Sequence, residues 1–297
     1  MHPTHPAAGE AALKVPKAHL STITSIRYFP SSKVLLTAGA DFALTIRSTD
    51  LDTAKNPARV LRGHTRTITS IATVARGRNV ISSAQDGSVR LWDVGSGEQI
   101  WVGHTTGSVG INAMVLTFGE FPDAPSGGTV ITDAREVEMN DKLVFCALSD
   151  GSFEIFSLAT KDSLYRSPSS SSSLTAISYS PSHKLLSTGS SRGVINIYNT
   201  ASLNDLSSPY ISWSRNAASI EDIAFSLSPS SAAVELTIAT DDGLSYIATI
   251  SHGSLAGVKV KAEIIGGDCE GVRTVRAGEG EIWTAGDDGA VRTYQVL

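Results

Sequence analysis

Apolar residues in this chain fall in short runs of strand length, each ended by Gly, Asp, Asn, Ser or Pro. The clearest set lies between Gly63 and Asp93, in GHTRTITSIATVARGRNVISSAQDGSVRLWD. Ile68 to Val74, Asn79 to Ala84 and Ser88 to Trp92 are successive runs rich in Ile, Val, Ser and Thr. Ile, Val and Thr suit a pleated, half-buried surface, and turn formers fill the gaps. No stretch of useful length has the 3.6-residue spacing of an amphipathic helix. The pattern predicts an all-β chain.

Gly63-His64 opens this stretch, Asp86-Gly87 turns it and Trp92-Asp93 closes it, which is the punctuation of a WD-type propeller blade. In such a blade a His, a Ser or Thr, an Asp and a Trp join in one hydrogen-bonded chain; here the candidates are His64, Ser82 or Ser83, Asp86 and Trp92. An indole N–H can only donate, a hydroxyl relays, and a carboxylate accepts from imidazole and fixes its tautomer. The spacing is what the blade requires, so these residues are structural rather than a catalytic His–Asp pair.

The same punctuation returns along the chain, giving six repeats about 40–50 residues apart. Repeat one has Ala18-His19, Asp41 followed by Phe42, and Arg47-Ser48 at the Trp-Asp place. Repeat three runs from Gly103-His104 to Phe156-Ser157, turns on Asp150-Gly151, and carries an insertion, Gly119 to Asp141. That insertion is acidic and holds Gly and Pro, which predicts a surface excursion. A serine run, Ser167 to Ser173, precedes repeat four and is expected to be a flexible joining loop. Repeats four, five and six turn on Arg192-Gly193, Asp242-Gly243 and Asp288-Gly289. The architecture predicted is a WD40-type β-propeller over residues 10–297, with 1–9 a disordered tail. The sixth repeat shows only three strands before Leu297, so Ala11 to Pro16 is expected to pair with Val291–Val296 as the closing strand.

Composition narrows the chemistry. With 297 residues, 41% of them hydrophobic, the chain can bury a large core as one all-β domain. A net charge of −5 disfavours nucleic acid and anionic membranes and makes a basic protein surface the expected partner. Cys146 and Cys269 are the only cysteines and form no CxxC pair, so neither a metal site nor a disulfide framework is expected. No apolar leader segment or glycosylation sequon is present, and the chain reads as a soluble cytoplasmic and nuclear monomer without cofactors.

Catalytic signals are thin. Gly189-Ser190-Ser191-Arg192-Gly193 matches the nucleophile elbow G-x-S-x-G, and Asp241 and His252 follow in α/β-hydrolase order. An elbow needs a strand-to-helix turn, whereas here Val194 begins another strand. Asp268 and Glu270 flank Cys269 and disfavour its thiolate. What remains is a binding surface. On the rim shared by entry loops and turns, repeats one to four offer Leu20, Ser21, Thr65, Arg66, Gln85, Ser149 and Arg192. Repeats five and six offer Glu221, Asp241, Asp268, Glu270 and Asp287, a sector suited to basic side chains.

The segment Ala75 to Asp93 and the ending from Gly266 to Leu297 resemble the proteasomal ATPase-associated factor family, WD-repeat chaperones of the proteasome regulatory-particle base. The resemblance runs from repeat one to the C-terminus. It implies a non-enzymatic protein that binds the C-terminal domain of one base ATPase subunit through acidic top-face residues and leaves the finished proteasome. Members of that family have seven blades and an N-terminal domain, and this chain shows six repeats and neither the domain nor the first blade. The other reading is a generic WD scaffold or ubiquitin-ligase substrate receptor, for which an F-box or similar module is expected and none is visible.

Overall fold

The structure, a computed structural model, describes residues 18–50, 56–124, 128–226, 233–251, 257–266, 270–278 and 280–295. They form six small antiparallel sheets in which each strand pairs with the next in the chain. Blade one holds β1 (Ile23–Tyr28), β2 (Val34–Gly39), β3 (Ala43–Ser48) and β4 (Arg59–Arg62). Blade two holds β5 (Ile68–Val74), β6 (Asn79–Ala84), β7 (Ser88–Asp93) and β8 (Gln99–His104). Blade three holds β9 (Ile111–Phe118), β10 (Lys142–Leu148), β11 (Phe153–Ser157) and β12 (Ser163–Arg166). Blade four holds β13 (Leu174–Ser180), β14 (Leu185–Ser190), β15 (Val194–Asn199) and β16 (Ile211–Ser214). Blade five holds β17 (Ile220–Phe225), β18 (Ala233–Thr240), β19 (Tyr246–Ser251) and β20 (Val258–Glu263). Blade six shows three strands among the described residues, β21 (Val272–Ala277), β22 (Glu281–Gly286) and β23 (Val291–Gln295). The expected closing strand, Ala11 to Pro16, and the expected tail, 1–9, lie outside the described residues.

Blades one to three make one compact unit and blades four to six, with residues 121–123, another. Each unit is held by apolar residues from facing blades. Leu36, Leu44 and Leu61 of blade one meet Ile68, Val80 and Trp92 of blade two, all buried. Ile223, Leu236 and Tyr246 of blade five pack with Ile195 and Ile197 of blade four. Each such side chain contributes about 1.5–3 kcal/mol relative to exposure, which a lone four-stranded sheet has no partner to supply.

One irregularity recurs in every blade. The first strand loses register against the second one residue in, at Thr24, Thr69, Asn112, Thr175, Glu221 and Arg273. A bulge leaves its extra residue out of the ladder and re-aims the side chain. Four of these positions carry Thr or Asn; blades five and six carry Glu and Arg.

The insertion is mostly exposed, as its composition suggests, and is anchored at a few buried points. Met139 joins the core cluster shared by blades two and three, and Phe121 is buried. Lys161 Nζ lies 2.6 Å from Glu136 Oε2, with both side chains almost wholly buried. Asn79 Nδ2 donates to Arg135 O at 3.2 Å while its Oδ1 accepts Val137 N–H at 3.0 Å. Of its acidic residues Glu120, Asp123, Glu138 and Asp141 are exposed, and Asp123 also accepts Ser202 Oγ–H at 2.6 Å and Leu203 N–H at 2.8 Å. The serine run begins inside blade three, where buried Ser167 Oγ accepts Phe153 N–H at 2.9 Å.

Candidate protein-binding face on blades five and six

The turns that frame any binding face are held by the His–Asp chains beneath them. Asp86 Oδ2 accepts His64 Nδ1–H at 3.0 Å, which leaves Nε2 to accept the Ser82 hydroxyl at 2.8 Å. Trp92 Nε1–H donates to the same hydroxyl oxygen at 2.9 Å. Of the two serine candidates it is thus Ser82 that links the chain, while Ser83 Oγ faces Thr69 at 3.2 Å. Burial of Asp86 favours the neutral acid, but hydrogen bonds from His64, Ser88 and the Thr65 N–H outweigh it and hold the carboxyl far below its usual range. Blade one repeats the device with His19 between Asp41 (2.9 Å) and Thr37 (2.8 Å).

In blades five and six the turn aspartates are likewise committed. Asp242 accepts Leu244 N–H at 3.0 Å and Asn216 Nδ2 at 2.7 Å, and Asp288 accepts Ala290 N–H at 2.9 Å and pairs with Arg292 at 2.5 Å. The residue before each, Asp241 and Asp287, is exposed.

The turns that carry Asp241 and Asp287 come together at Gly271. Asp287 N–H donates to Gly271 O at 2.9 Å. A Cβ on Gly271 would stand 2.9 Å from Asp241 O and 3.2 Å from Asp287 Oδ2, so only glycine lets the two turns approach this closely. Glu270, next in the chain, is exposed, and Asp268 lies outside the described residues.

One residue in this sector is missing from an acid-only reading. Arg273, the bulge residue of blade six, places Nη1 2.9 Å from Glu221 Oε2, the bulge residue of blade five. Its Nε and Nη2 also hold Asp287, at 3.0 Å from Oδ1 and 2.5 Å from Oδ2. That bond lowers the Asp287 pKa. Arg273 thus engages three oxygens of Glu221 and Asp287, while Asp241 and Glu270 make no contact with it, so the four described carboxylates still outnumber the one guanidinium. Asp222, one residue beyond the bulge, accepts Thr274 Oγ1–H at 2.7 Å and Val275 N–H at 3.1 Å and pairs with Arg276 Nη1 at 2.7 Å.

The elbow motif has no catalytic setting. Gly189 to Gly193 runs from the end of β14 through a turn into β15, strand to strand, with Ser190 Oγ accepting Val194 N–H at 3.0 Å. His252 and Cys269 lie outside the described residues. Cys146 is buried in blade three, and burial pushes its thiol far above the usual range. Among the described residues no three His, Cys, Asp or Glu side chains are grouped to hold a metal ion, and no helix is long and apolar enough to cross a membrane.

The family model for the WD domain, G-beta repeat matches residues 11–46, 55–93 and 162–199. A chain in the crystal structure of the mitotic checkpoint complex superposes over 93% of this chain and 74% of its own at a TM-score of 0.68, with 14% identity. The computationally designed Ika8 protein superposes over 94% of this chain and 72% of its own, at a TM-score of 0.63 and 18% identity. The fold is a WD40 β-propeller of six blades. Among curated proteins, this propeller is 32% identical over 161 residues to the 26S proteasome regulatory subunit RPN14 of Saccharomyces cerevisiae, covering 52% of this chain and 37% of that protein. It is 36% identical over 89 residues to human THO complex subunit 6, covering 30% of this chain and 24% of that protein. The chain thus spans well under half the length of the curated relatives it matches.

Proposed function

We propose that this WD40 propeller is a non-catalytic assembly chaperone that binds the C-terminal domain of a proteasome base ATPase subunit, in the cytoplasm and nucleus. The observation that carries the reading is the gathering of Glu221, Asp241, Glu270 and Asp287 on one edge of blades five and six, against a single Arg273. A concentrated negative sector on a rigid sheet edge steers a basic partner and selects its orientation. The similarity to RPN14, a proteasome regulatory subunit by name, supports the choice of partner. The partner shields its own basic surface against this sector and departs when later contacts in the assembled base compete for it.

Affinity purification from lysate tests this. Base ATPase subunits should be enriched with the wild-type chain and lost when Asp268, Glu270 and Asp287 are reversed to Lys. Recovery of ubiquitin-ligase adaptors in their place would favour the scaffold reading, to which the similarity with THO complex subunit 6 is equally suited.

A further inference from the structure

Blade one breaks a rule that the other five blades keep. After the first turn residue, blades two to six place Gly87, Gly151, Gly193, Gly243 and Gly289, all with φ between 72° and 79°. Blade one places Phe42 there, at φ 63°. A side chain with a Cβ resists this left-handed region, and a bulky one resists it most. Such a conformation persists only where the surrounding structure imposes it, and it concentrates at binding sites. The Phe42 ring is not spent on the core, for the residue is 41% exposed.

Phe42 lines an open surface cavity of about 510 Å³ together with Arg66, Thr67, Thr69 and Gln85 of blade two and its entry loop. Each wall is fixed from below by the chains already described. Thr65 N–H donates to Asp86 at 2.9 Å, which anchors the loop that carries Arg66 and Thr67. Gln85 N–H donates to Thr67 O at 2.9 Å, and Gln85 Nε2 donates to Asn112 Oδ1, the bulge residue of blade three, at 2.6 Å. Thr69 is the bulge residue of blade two.

The charge of this cavity is opposite to that of blades five and six. The turn aspartates of both blades are occupied, Asp41 by His19 and the Leu20 N–H, Asp86 by His64 and the Thr65 N–H. Arg66 is exposed, and among the described residues its guanidinium meets no carboxylate and makes no hydrogen bond. With the Thr69 hydroxyl donating to Ser83 O and Gln85 Nε2 to Asn112, the Arg66 guanidinium and the Phe42 ring are the groups that suit a carboxylate on a short apolar stem.

We propose that this cavity is a second peptide-binding site, which takes a glutamate or aspartate side chain from an extended acidic segment of a partner protein. Arg66 supplies the charge and Phe42 packs against the stem. Its residues lie in the other unit from the acidic sector, so it stands or falls independently of the chaperone reading.

The test is fluorescence anisotropy with a short fluorescein-labelled peptide bearing Glu at alternate positions, beside its Gln counterpart. The chain's net charge of −5 works against non-specific capture of the Glu peptide, so saturable binding reports a local site. We expect the Gln peptide to bind about tenfold more weakly, and Arg66→Ala to lose about the same factor, as for removal of one charge-assisted contact. Phe42→Gly is expected to weaken binding several-fold while the melting temperature holds or rises, because glycine relieves the left-handed backbone. Equal binding of both peptides, or wild-type affinity in Arg66→Ala, overturns the proposal. So does a fall in melting temperature for Phe42→Gly, which would make the ring a packing element.

Discussion

Arg273 and Glu221 occupy the same bulge position on neighbouring blades, and Arg273 Nη1 sits 2.9 Å from Glu221 Oε2. The guanidinium already holds carboxylate oxygens that a basic partner would seek. Arg273→Ala is therefore expected to free Glu221 and Asp287. Both sides of this pairing are exposed to screening water, so the fold should lose little stability. Binding of a basic partner should tighten and its association quicken at low salt. Surface plasmon resonance at two salt concentrations measures both, and weaker binding by this variant would show that Arg273 itself contacts the partner.

Ser82 is the hinge of the buried chain in blade two. Ser82→Ala leaves Trp92 Nε1–H and His64 Nε2 without their shared hydroxyl in a buried setting. The expected loss is about 1–3 kcal/mol, read as a lower urea midpoint at unchanged slope. Ser83→Ala, which removes only a 3.2 Å contact to Thr69, should cost less than Ser82→Ala.

The depressed pKa of Asp86 gives stability a direction with pH. A carboxyl whose folded pKa lies below its unfolded value, near 3.9, stabilises the fold above that value. The contribution fades as pH falls through about 4 toward the folded value. Asp86→Asn should thus be less stable than wild type at pH 7, and the gap should narrow in acid. Thermal melts across pH 3 to 7 check the sign, and a gap that widens in acid would contradict it.

The blade punctuation was legible because each mark is enforced by burial or by a turn. Ile68 to Val74 and Asn79 to Ala84 are strands with the bounds their apolar runs suggest, and Asp86, Gly87 and Trp92 stand at their turns and core positions. The outer strands, such as Arg59–Arg62 and Gln99–His104, were not, because they are short and largely exposed and carry little apolar signal. Nor was Arg273 visible as the centre of the acidic sector, since a bulge depends on pairing register rather than composition. Glu154 shows the same limit. In a strand it reads as solvent-facing, yet it is wholly buried and accepts Thr106 N–H and Oγ1 at 3.0 Å and Ser163 Oγ at 2.7 Å.

The insertion of blade three hangs on the Glu136–Lys161 pair. Glu136 accepts Thr132 N–H at 3.1 Å and Asp133 N–H at 3.2 Å, and Lys161 Nζ stands 5.5 Å from the Trp101 ring centroid. Lys161→Ala strands a buried carboxylate, a change that costs about 3–5 kcal/mol for pairs of this kind. The insertion should then be cut by protease well before the blades. The Glu136→Gln, Lys161→Met double variant, with no charge left to bury, should resist cleavage better than Lys161→Ala.

The central claim is that blades five and six grip a basic protein through their carboxylates. Isothermal titration of the chain with an isolated base ATPase C-terminal domain tests it most directly. The account predicts binding that weakens with salt, is lost on reversing Asp241, Glu270 and Asp287 to Lys, and survives Arg66→Ala. Binding of unchanged affinity in the charge-reversed variant would contradict it.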